Sequence, residues 1–415
     1  MKKRVAITGV GLISGLGTSS AFFHRQLCGD MDDPGEIPKD VLQEHQAAPT
    51  GVLRFFKPES YLKGKHLRPL DRTGQLLASA AQIALRNSGW TAERLARHDV
   101  GLVLGTMFGS MHTISEFDRR SLIDGPACAS PLNFANTVIN SAAAQTAIWH
   151  NLRGMNSTTA TGATSGLVAI GYAADLIECG RQATVLVGGA DEFCFEAFCA
   201  FERAALLSGE NDEAGCFVPF DQRRTGMKLA EAAAVLVMEE WDSAAQRGAY
   251  VLGEVRGHAN GYNPKWKQSG YGACGIIRAM RGAMRESRSS PSDIDYITAS
   301  ANGSVVGDRN EGLAIKTVFD GCCDRVQISA IKSNIGETLG AAGVLQAIDL
   351  LEAMKSGTIS GIAGLGQVDP ELSSLNLCRD SAFVDVQTGM INSVGFDGHA
   401  CSVIISRSAT QSNHT

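Results

Sequence analysis

The chain has 415 residues, of which 44% are hydrophobic and 6% aromatic, and it carries a formal net charge of −6. A chain of this length is too long for one simple core, so we expect two domains or one duplicated fold. The mild acidity gives no indication of nucleic-acid binding, and no apolar stretch approaches the about 20 residues that a membrane span requires.

The first half of the chain alternates strand and helix patterns. Continuous apolar runs bounded by glycine or charged residues predict strands buried on both faces, at residues 4–7, 101–105, 183–188 and 232–239. The first of these strands is expected to end in a glycine turn at Gly9. Helical patterns lie between the strands, at residues 73–88 and 166–179.

The second half repeats this alternation, which indicates two similar βαβ layers stacked on each other. Strands are predicted at residues 295–299, 326–329 and 400–406, and a helix at residues 340–354. The best division lies in the charged segment 241–250, which gives an N-terminal half at 1–245 and a C-terminal half at 246–408. The polar residues 409–415 are expected to form a disordered tail.

The N-terminus and the cysteines indicate an ordinary cytoplasmic protein. The apolar run after Arg4 is short and is interrupted by Gly9 and Gly11, unlike a signal peptide. The eleven cysteines show neither a Cys-x-x-Cys pair nor a Cys/His cluster with the spacing of zinc ligands. We therefore expect reduced, mostly buried thiols and no metal site.

Residues 156–171, NSTTATGATSGLVAIG, combine a β-branched strand, a turn of small residues and an apolar helix. This local shape presents a nucleophile at a helix N-terminus. The residue at the reactive position of the turn is Ala163, which has no reactive group.

Several further motifs follow one another along the chain. They are Lys3–Gly17, Pro219-Phe220-Asp221 with Arg224 and Gly226, Asp308 with Glu311, Lys332-Ser333 with Gly340-Ala-Ala-Gly343, and Gly395-Phe396 with Gly398. In this order they resemble the motifs of the elongating β-ketoacyl-ACP synthases, over nearly the whole chain. The resemblance implies an α/β thiolase-like fold, with duplicated βαβ halves in a five-layered α/β/α/β/α arrangement.

The differences from that family lie at the reactive positions. The family's nucleophilic cysteine aligns with Ala163, its first catalytic histidine with Ser300, and its second with Glu337. The resemblance therefore implies a site without functional catalytic residues, in which the neighbours Lys332 and Phe396 are retained.

Each replacement removes a chemical capacity that condensation needs. A condensing enzyme holds the acyl chain on a thiolate and stabilises an enolate with hydrogen-bond donors. Ala163 cannot attack a thioester, Ser300 offers one weak donor, and Glu337 would place a negative charge beside a negative intermediate. We therefore expect no condensation by this chain.

Because all three groups are replaced, the sequence resembles the chain-length factors. These are the non-catalytic partners of ketosynthases in type II polyketide and polyene systems. The resemblance implies a heterodimer with an active ketosynthase and contact with an acyl carrier protein. It implies no cofactor, since substrates would arrive on the carrier's phosphopantetheine. That branch often has glutamine at the cysteine position, so alanine is a departure, as is the alanine-flanked acid Glu231 where the family has Gly-Asp/Glu-Gly.

Two segments are candidate surfaces in this resemblance. A chain tunnel or dimer interface is expected at Met107, Phe108, Ser110, Met111 and Ile114, with plain interface packing as the alternative. Docking of the acidic carrier protein is expected at Lys63, Lys65, Arg68 and Arg72, where Phe55, Phe56 and Tyr61 are interleaved. A solvated helix face explains that basic run equally well.

Other functions remain open from the sequence. The chain could be a divergent acyltransferase or malonyl-ACP decarboxylase that uses Glu337, Lys332 or His399, or a structural homodimer that binds acyl chains. His399 beside Asp397 is more simply a structural histidine of a glycine-rich loop. Lys332 could pair with Glu337. Cys194 and Cys199 are expected to lie on a helix and to pack in the protein core.

Overall fold

A computed structural model describes residues 2–29, 51–54, 56–64, 66–209, 217–265 and 272–408. The described strands are β1 Val5–Ile13, β2 Gly101–Gly105, β3 Asn156–Thr159, β4 Thr184–Asp191, β5 Ala232–Glu240, β6 Gly253–Tyr262, β7 Tyr296–Thr298, β8 Gln327–Ser329, β9 Thr358–Ile359, β10 Ala382–Phe383, β11 Thr388–Val394 and β12 His399–Ser406. The described α-helices are α1 Ser20–Leu27, α2 Arg72–Asn87, α3 Ala92–Arg97, α4 Met111–Ile123, α5 Pro131–Phe134, α6 Ser141–His150, α7 Ser165–Glu178, α8 Phe195–Arg203, α9 Trp241–Gln246, α10 Cys274–Ser287, α11 Val305–Val318, α12 Lys332–Ile335 and α13 Ala342–Ser356.

The main sheet has the strand order β3-β2-β4-β5-β1-β6-β12-β11-β7-β8. Numbered within each half, both halves have the order 3-2-4-5-1. In both, the first two pairings are parallel and the next two antiparallel. The antiparallel β1–β6 pair joins the halves. The duplicated fold predicted from the sequence is therefore confirmed.

Helices cover both faces of this sheet. Helices α7 and α13 share one apolar core with strands of both halves, and they form the middle layer. Helix α2 packs on β1 and β5 on one outer face, and α10 packs on β6 and β12 on the other. This is the expected α/β/α/β/α layering.

Glycines permit close approach between these layers. A Cβ at Gly11 of β1 would lie 2.2 Å from the carbonyl oxygen of Ala80 in α2. A Cβ at Gly166, in the first turn of α7, would lie 2.1 Å from the carbonyl oxygen of Gly340. The second contact presses the Ala163 turn against the turn that precedes α13, so it helps to form the site.

The predicted strands and helices are present, with bounds shifted by a few residues. The first strand is longer than predicted. β1 continues through Gly9 to Ile13, with a register shift between Ile7 and Gly9 where a turn was expected. β6, β9, β10 and β11 were not predicted, nor were most of the other helices, among them α10 and α11. The boundary at residues 245/246 stays a prediction, and the tail 409–415 lies outside the described residues. No helix in the described part of the chain is long and apolar enough to cross a membrane.

Candidate functional site

The turn after β3 is rigid although it carries no nucleophile. Gly162 has a φ of +67°, which favours glycine, and Ala163 is 1% exposed. The Ser165 hydroxyl donates to the carbonyl of Gly162 over 2.6 Å and accepts from the amide of Thr161 over 2.8 Å. The turn therefore keeps its shape through its own hydrogen bonds and supports the start of α7.

Ser300 follows β7 and is held from two sides. Its hydroxyl oxygen accepts from the amide of Val394 over 2.9 Å, and its own amide donates to Glu311 Oε1 over 2.9 Å. Ser300 is 4% exposed. The hydroxyl keeps one proton to donate, which agrees with the weak donor expected from the sequence.

Glu337 is held by three donors on its carboxylate. Lys332 Nζ lies 2.8 Å and Asn302 Nδ2 2.7 Å from Oε2, and the amide of Leu339 donates to Oε1 over 2.9 Å. The Glu337 and Lys332 side chains are each 1% exposed. The predicted Lys332–Glu337 pair is therefore confirmed, and the lysine charge is neutralised inside the protein.

The carboxylates of Asp308 and Glu311 hold the loop that follows β7, because they accept from the amides of Ser300, Asn302 and Gly303. Asp308 accepts from the amides of Phe220, Asn302 and Gly303 over 3.0, 3.0 and 3.1 Å. Burial raises the pKa of Asp308, while the nearby Arg224 acts in the opposite direction.

Glu311 is a buried carboxyl at the pocket wall. Burial raises its pKa to about 7, with a further upward contribution from Asp308, while the Ser300 amide and Lys332 act downward. Near neutral pH this carboxyl therefore exchanges between its neutral and charged forms.

A pocket of about 430 Å³ opens beside these groups. Its lining includes Ser300, Asn302, Glu311, Phe396 and His399. Ala163, Lys332 and Glu337 do not line it. Ala163 and Glu337 are thus separated from the pocket that Ser300 faces.

The glycine-rich loop before β12 forms one side of this pocket. The His399 ring nitrogen Nδ1 lies 2.7 Å from Asp397 Oδ2, and the His399 ring packs on Tyr262 with centroids 4.6 Å apart. Phe396 instead turns inward, edge-on to Phe201 at 5.3 Å. The loop thus carries an aromatic ring inside and a half-exposed histidine–carboxylate pair outside.

Comparison with known protein families gives the assignment of these motifs. Residues 2–244 match the model of the β-ketoacyl synthase N-terminal domain, and residues 252–365 match that of the C-terminal domain. The chain belongs to the β-ketoacyl synthase family.

Full-length relatives agree with this assignment. The 3-oxoacyl-[acyl-carrier-protein] synthase 2 of Staphylococcus aureus (strain COL) is 27% identical over 414 residues, which cover 98% of each chain. A β-ketoacyl synthase from Burkholderia phymatum STM815 has 28% identity and a TM-score of 0.87, over 98% of this chain and 100% of that one. The ishigamide ketosynthase/chain length factor has 26% identity and a TM-score of 0.86, over 99% and 100%.

In this β-ketoacyl synthase fold, the predicted tunnel segment lies against the site. Phe108 packs edge-on against Phe201 at 5.8 Å, and Phe201 also contacts Phe396. Met107 and Met111 pack on the same apolar cluster, which includes Leu339. This side of the segment is therefore continuous with the pocket wall.

The tunnel segment is fixed by a buried acid. Asp191 accepts from the amides of Met107 and Phe108 over 2.8 and 3.0 Å, and from the amide of Gly340 over 2.8 Å. Burial raises the pKa of Asp191, and these donors act downward. Of the other predicted residues, Ser110 is 1% exposed and Ile114 is half-buried.

The predicted docking residues have different environments. Lys63 and Arg68 are exposed. Arg72 Nη2 instead lies 2.6 Å from Glu231 Oε1 and donates to the carbonyl of Leu53 over 2.7 Å. Lys65, like Phe55 of the same run, lies outside the described residues. Glu231, the retained acid of the family motif, thus binds Arg72 internally.

A possible cation-binding group lies away from the pocket. Ligand atoms of Asp175, His258 and Glu286 are all within 4.8 Å of one another. The ammonium of Lys2 already lies 2.8 Å from Glu286. The charge of Glu286 is thus compensated from within the chain.

The described cysteines are free thiols. Three are buried, five are half-buried and two, Cys128 and Cys179, are exposed, so the prediction of mostly buried thiols was too strong. Cys194 comes just before α8 and Cys199 lies in it. Burial raises the pKa of Cys194 to about 12, which agrees with a packing role.

Asn302 was the main site residue that sequence reasoning missed. Its amide bridges the pocket to Glu337, and its side-chain oxygen accepts from the amide of Ser304 over 3.1 Å. The only sequence signal was an amide residue in an otherwise small-residue stretch, two positions after Ser300. Its partner Glu337 lies 35 residues further along the chain.

Proposed function

We propose that this chain is a catalytically silent β-ketoacyl synthase subunit, a chain-length factor that pairs with an active ketosynthase and shapes the tunnel for the growing chain. The observation that carries the proposal is the buried Glu337 carboxylate, saturated by Lys332, Asn302 and the amide of Leu339. A carboxylate so bound has a structural role and is not poised for proton transfer.

The chemistry of the other two positions supports the same proposal. The Ala163 methyl group cannot form a thioester. Ser300 supplies one hydroxyl proton where enolate stabilisation calls for strong preorganised donors. Glu337 would oppose the developing negative charge, and its charge is already used in binding Lys332.

The surface near β3 supports a partner subunit. β3 is an edge strand of the sheet, with its residues exposed or half-buried. The 13-residue helix α4 contains no buried residue. Ile148 of α6, the helix that contacts β3, is 70% exposed. Leu122, Ile123 and Phe134 of α4 and α5 are 84%, 69% and 63% exposed. An open edge strand beside large exposed apolar side chains favours a protein interface.

The alternative acyltransferase or decarboxylase has weaker support. Lys332 and Glu337 bind each other, and neither lines the pocket. His399 does line it, but Asp397 and Tyr262 hold its ring at the pocket's outer side. These arrangements favour a structural role for the three residues.

Co-expression with a ketosynthase from the same gene neighbourhood, one with intact Cys-His-His residues, tests the proposal. We expect a stable heterodimer in size-exclusion chromatography with light scattering. Intact-mass analysis after incubation with acyl carrier protein loaded with substrate should show the acyl group on the partner only. An acyl adduct on this chain, or carbon dioxide release from malonyl carrier protein by this chain alone, would contradict the proposal.

A pair of variants locates the interface. Ile148→Asp places a charge on the apolar face near β3 and should abolish the heterodimer. Phe383→Asp is the matched control, because Phe383 is 90% exposed but belongs to β10 in a separate small sheet. If both variants pair normally, the face near β3 is not the interface.

A further inference from the structure

Helix α10 presents a row of arginines to solvent. Arg278, Arg281, Arg285 and Arg288 follow one another at intervals of three, four and three residues, and all four are exposed. On a helix with 3.6 residues per turn, Arg278, Arg281 and Arg285 lie within an arc of about 60°. Arg288 follows directly after the helix, as its C-cap residue in the left-handed conformation. We call these four residues the arginine face.

The arginine face lacks internal counter-charges within the described part of the chain. None of its four guanidinium groups forms an ion pair with another described residue. The acid of α10, Glu286, is instead bound by Lys2 at 2.8 Å and by the amide of His258 at 2.9 Å. A row of four free positive charges is notable on a chain whose formal net charge is −6.

The arginine face borders a groove with an apolar floor. The groove has a volume of about 540 Å³, and Ile277, Met284, Pro291 and Val318 line it together with the four arginines. Apolar contacts flanked by fixed charges suit an amphipathic helix, in which carboxylates meet the guanidinium groups and apolar side chains enter the groove. Arginine binds carboxylates with two parallel hydrogen bonds, which adds geometric specificity.

The same helix also forms part of the pocket. Gly275 and Ile276, in the first turn of α10, line the pocket that contains Ser300 and Phe396. Arg278 is three residues after Gly275, a rise of about 4.5 Å along the axis. A protein bound on the arginine face would therefore lie beside the pocket.

We propose that the arginine face is the docking surface for an acidic helix of the acyl carrier protein. This inference rests on the proposed function, in which substrates travel on that carrier. It moves the docking surface from the run at Lys63–Arg72, where Arg72 is bound by Glu231, to a helix whose charges are free and whose first turn lines the pocket.

Charge reversal with a matched control tests the surface. Arg281→Glu/Arg285→Glu keeps good helix formers on exposed positions but reverses the field of the arginine face. Arg86→Glu/Arg97→Glu changes the net charge equally, at two exposed arginines of the N-terminal half. Binding of holo acyl carrier protein, encoded beside the ketosynthase, is measured by titration at about 50 mM and about 300 mM salt. Thermal unfolding checks that both variants are folded.

We expect the reversal on the arginine face to weaken carrier binding by about tenfold or more at low salt, and the control by less than about twofold. Replacing acidic residues of the carrier's helix with lysine should restore binding to the reversed variant. Equal losses in both variants, or no loss in either, would overturn the proposal. If carrier binding is lost only in a Lys63→Glu/Arg68→Glu variant, the docking surface is instead the run at Lys63–Arg72.

The experiment separates this proposal from the proposed function. Titrations are made with the heterodimer and with the chain alone. A heterodimer that binds carrier protein unchanged after reversal would reject the surface but leave the silent-subunit proposal intact. Failure to form any heterodimer would reject the silent-subunit proposal. Carrier binding by the chain alone would still decide whether the arginine face is the docking surface. Arginine-dependent binding to phosphatidylserine vesicles, without carrier binding, would instead identify a membrane surface.

Discussion

Lys332 and Glu337 form an ion pair in which Nζ lies 2.8 Å from Oε2 and each side chain is 1% exposed. Glu337 lies where the family resemblance predicts a histidine, and the structure holds its side chain as a buried structural contact. The carboxylate also fixes Asn302 and the turn at Leu339, which precedes α13. These contacts form an internal network that joins Lys332, Asn302 and the turn before α13.

Breaking one side of this pair should be costly. Lys332→Met leaves the Glu337 carboxylate buried without its cation, and we expect a loss of about 3–5 kcal/mol in the free energy of unfolding. Lys332→Met/Glu337→Gln removes both charges and should recover most of that loss. Denaturant unfolding measures all three proteins.

The pair Lys355–Glu352, at 3.8 Å with the lysine side chain 53% exposed, provides the control. Lys355→Met should change stability by less than about 1 kcal/mol. If Lys332→Met is equally mild, the buried pair does not hold the site together.

Ala163→Cys should not restore condensation. The new thiol would gain the N-terminus of α7, but Ser300 and Glu337 would still lack the donors for an enolate. The variant is assayed with malonyl carrier protein for carbon dioxide release, with Ala163→Ser as the size-matched control. Release above the level of the unmodified chain would show that the other two positions retain catalytic capacity.

Glu311 should make the stability of the protein depend on pH. Its pKa is raised to about 7 by burial, from 4.5 for the free side chain, so the folded state binds a proton that the unfolded state has lost. The resulting stabilisation is complete below about pH 4.5 and disappears as the pH rises through about 7.

Glu311→Gln imitates the neutral carboxyl and removes this dependence. The variant should match the unmodified protein at about pH 5 and be more stable than it by about 1–3 kcal/mol at about pH 8. Denaturant unfolding at both pH values measures the difference, and the exposed Glu93→Gln serves as control. A difference that is the same at both pH values would mean that Glu311 does not titrate in this range.

The sequence was sufficient for the fold wherever burial leaves a continuous apolar run, as in β2, β4 and β5. It failed for β6, which is buried at its start and half-buried or exposed at its end, and for α10, whose arginines interrupt the apolar pattern. Tertiary packing decides such elements, because α10 is stabilised through Ile276, Ala279, Met280 and Ala283 against β6 and β12.

The candidate site likewise contains residues that the sequence could locate and residues that it could not. Ala163, Ser300 and Glu337 could be located from motifs because each lies at a fixed spacing from a recognisable neighbour. Asn302 could not, because its role depends on a contact with Glu337, and the arginine face could not, because its helix was not predicted. Spacing along the chain gives positions, whereas contacts between distant segments give roles.

The last prediction concerns the ruler for chain length. Phe108 lies against Phe201, and Phe201 against Phe396 of the pocket, so the three rings form a continuous apolar contact that leads from the pocket to this segment. Met111 packs on the same cluster and is the more compliant side chain. If this segment limits the chain, Phe108→Ala or Met111→Ala should shift the reconstituted heterodimer to longer products, because each substitution opens space at that end. Ile114→Phe, at a half-buried position, should shorten them.

Ser110 is fully buried, so a larger residue there should instead destabilise the protein by about 1–3 kcal/mol through overpacking. Product lengths are measured by mass spectrometry, with the heterodimer yield of each variant as control. Less product with an unchanged length distribution would mean that these residues only hold the interface together.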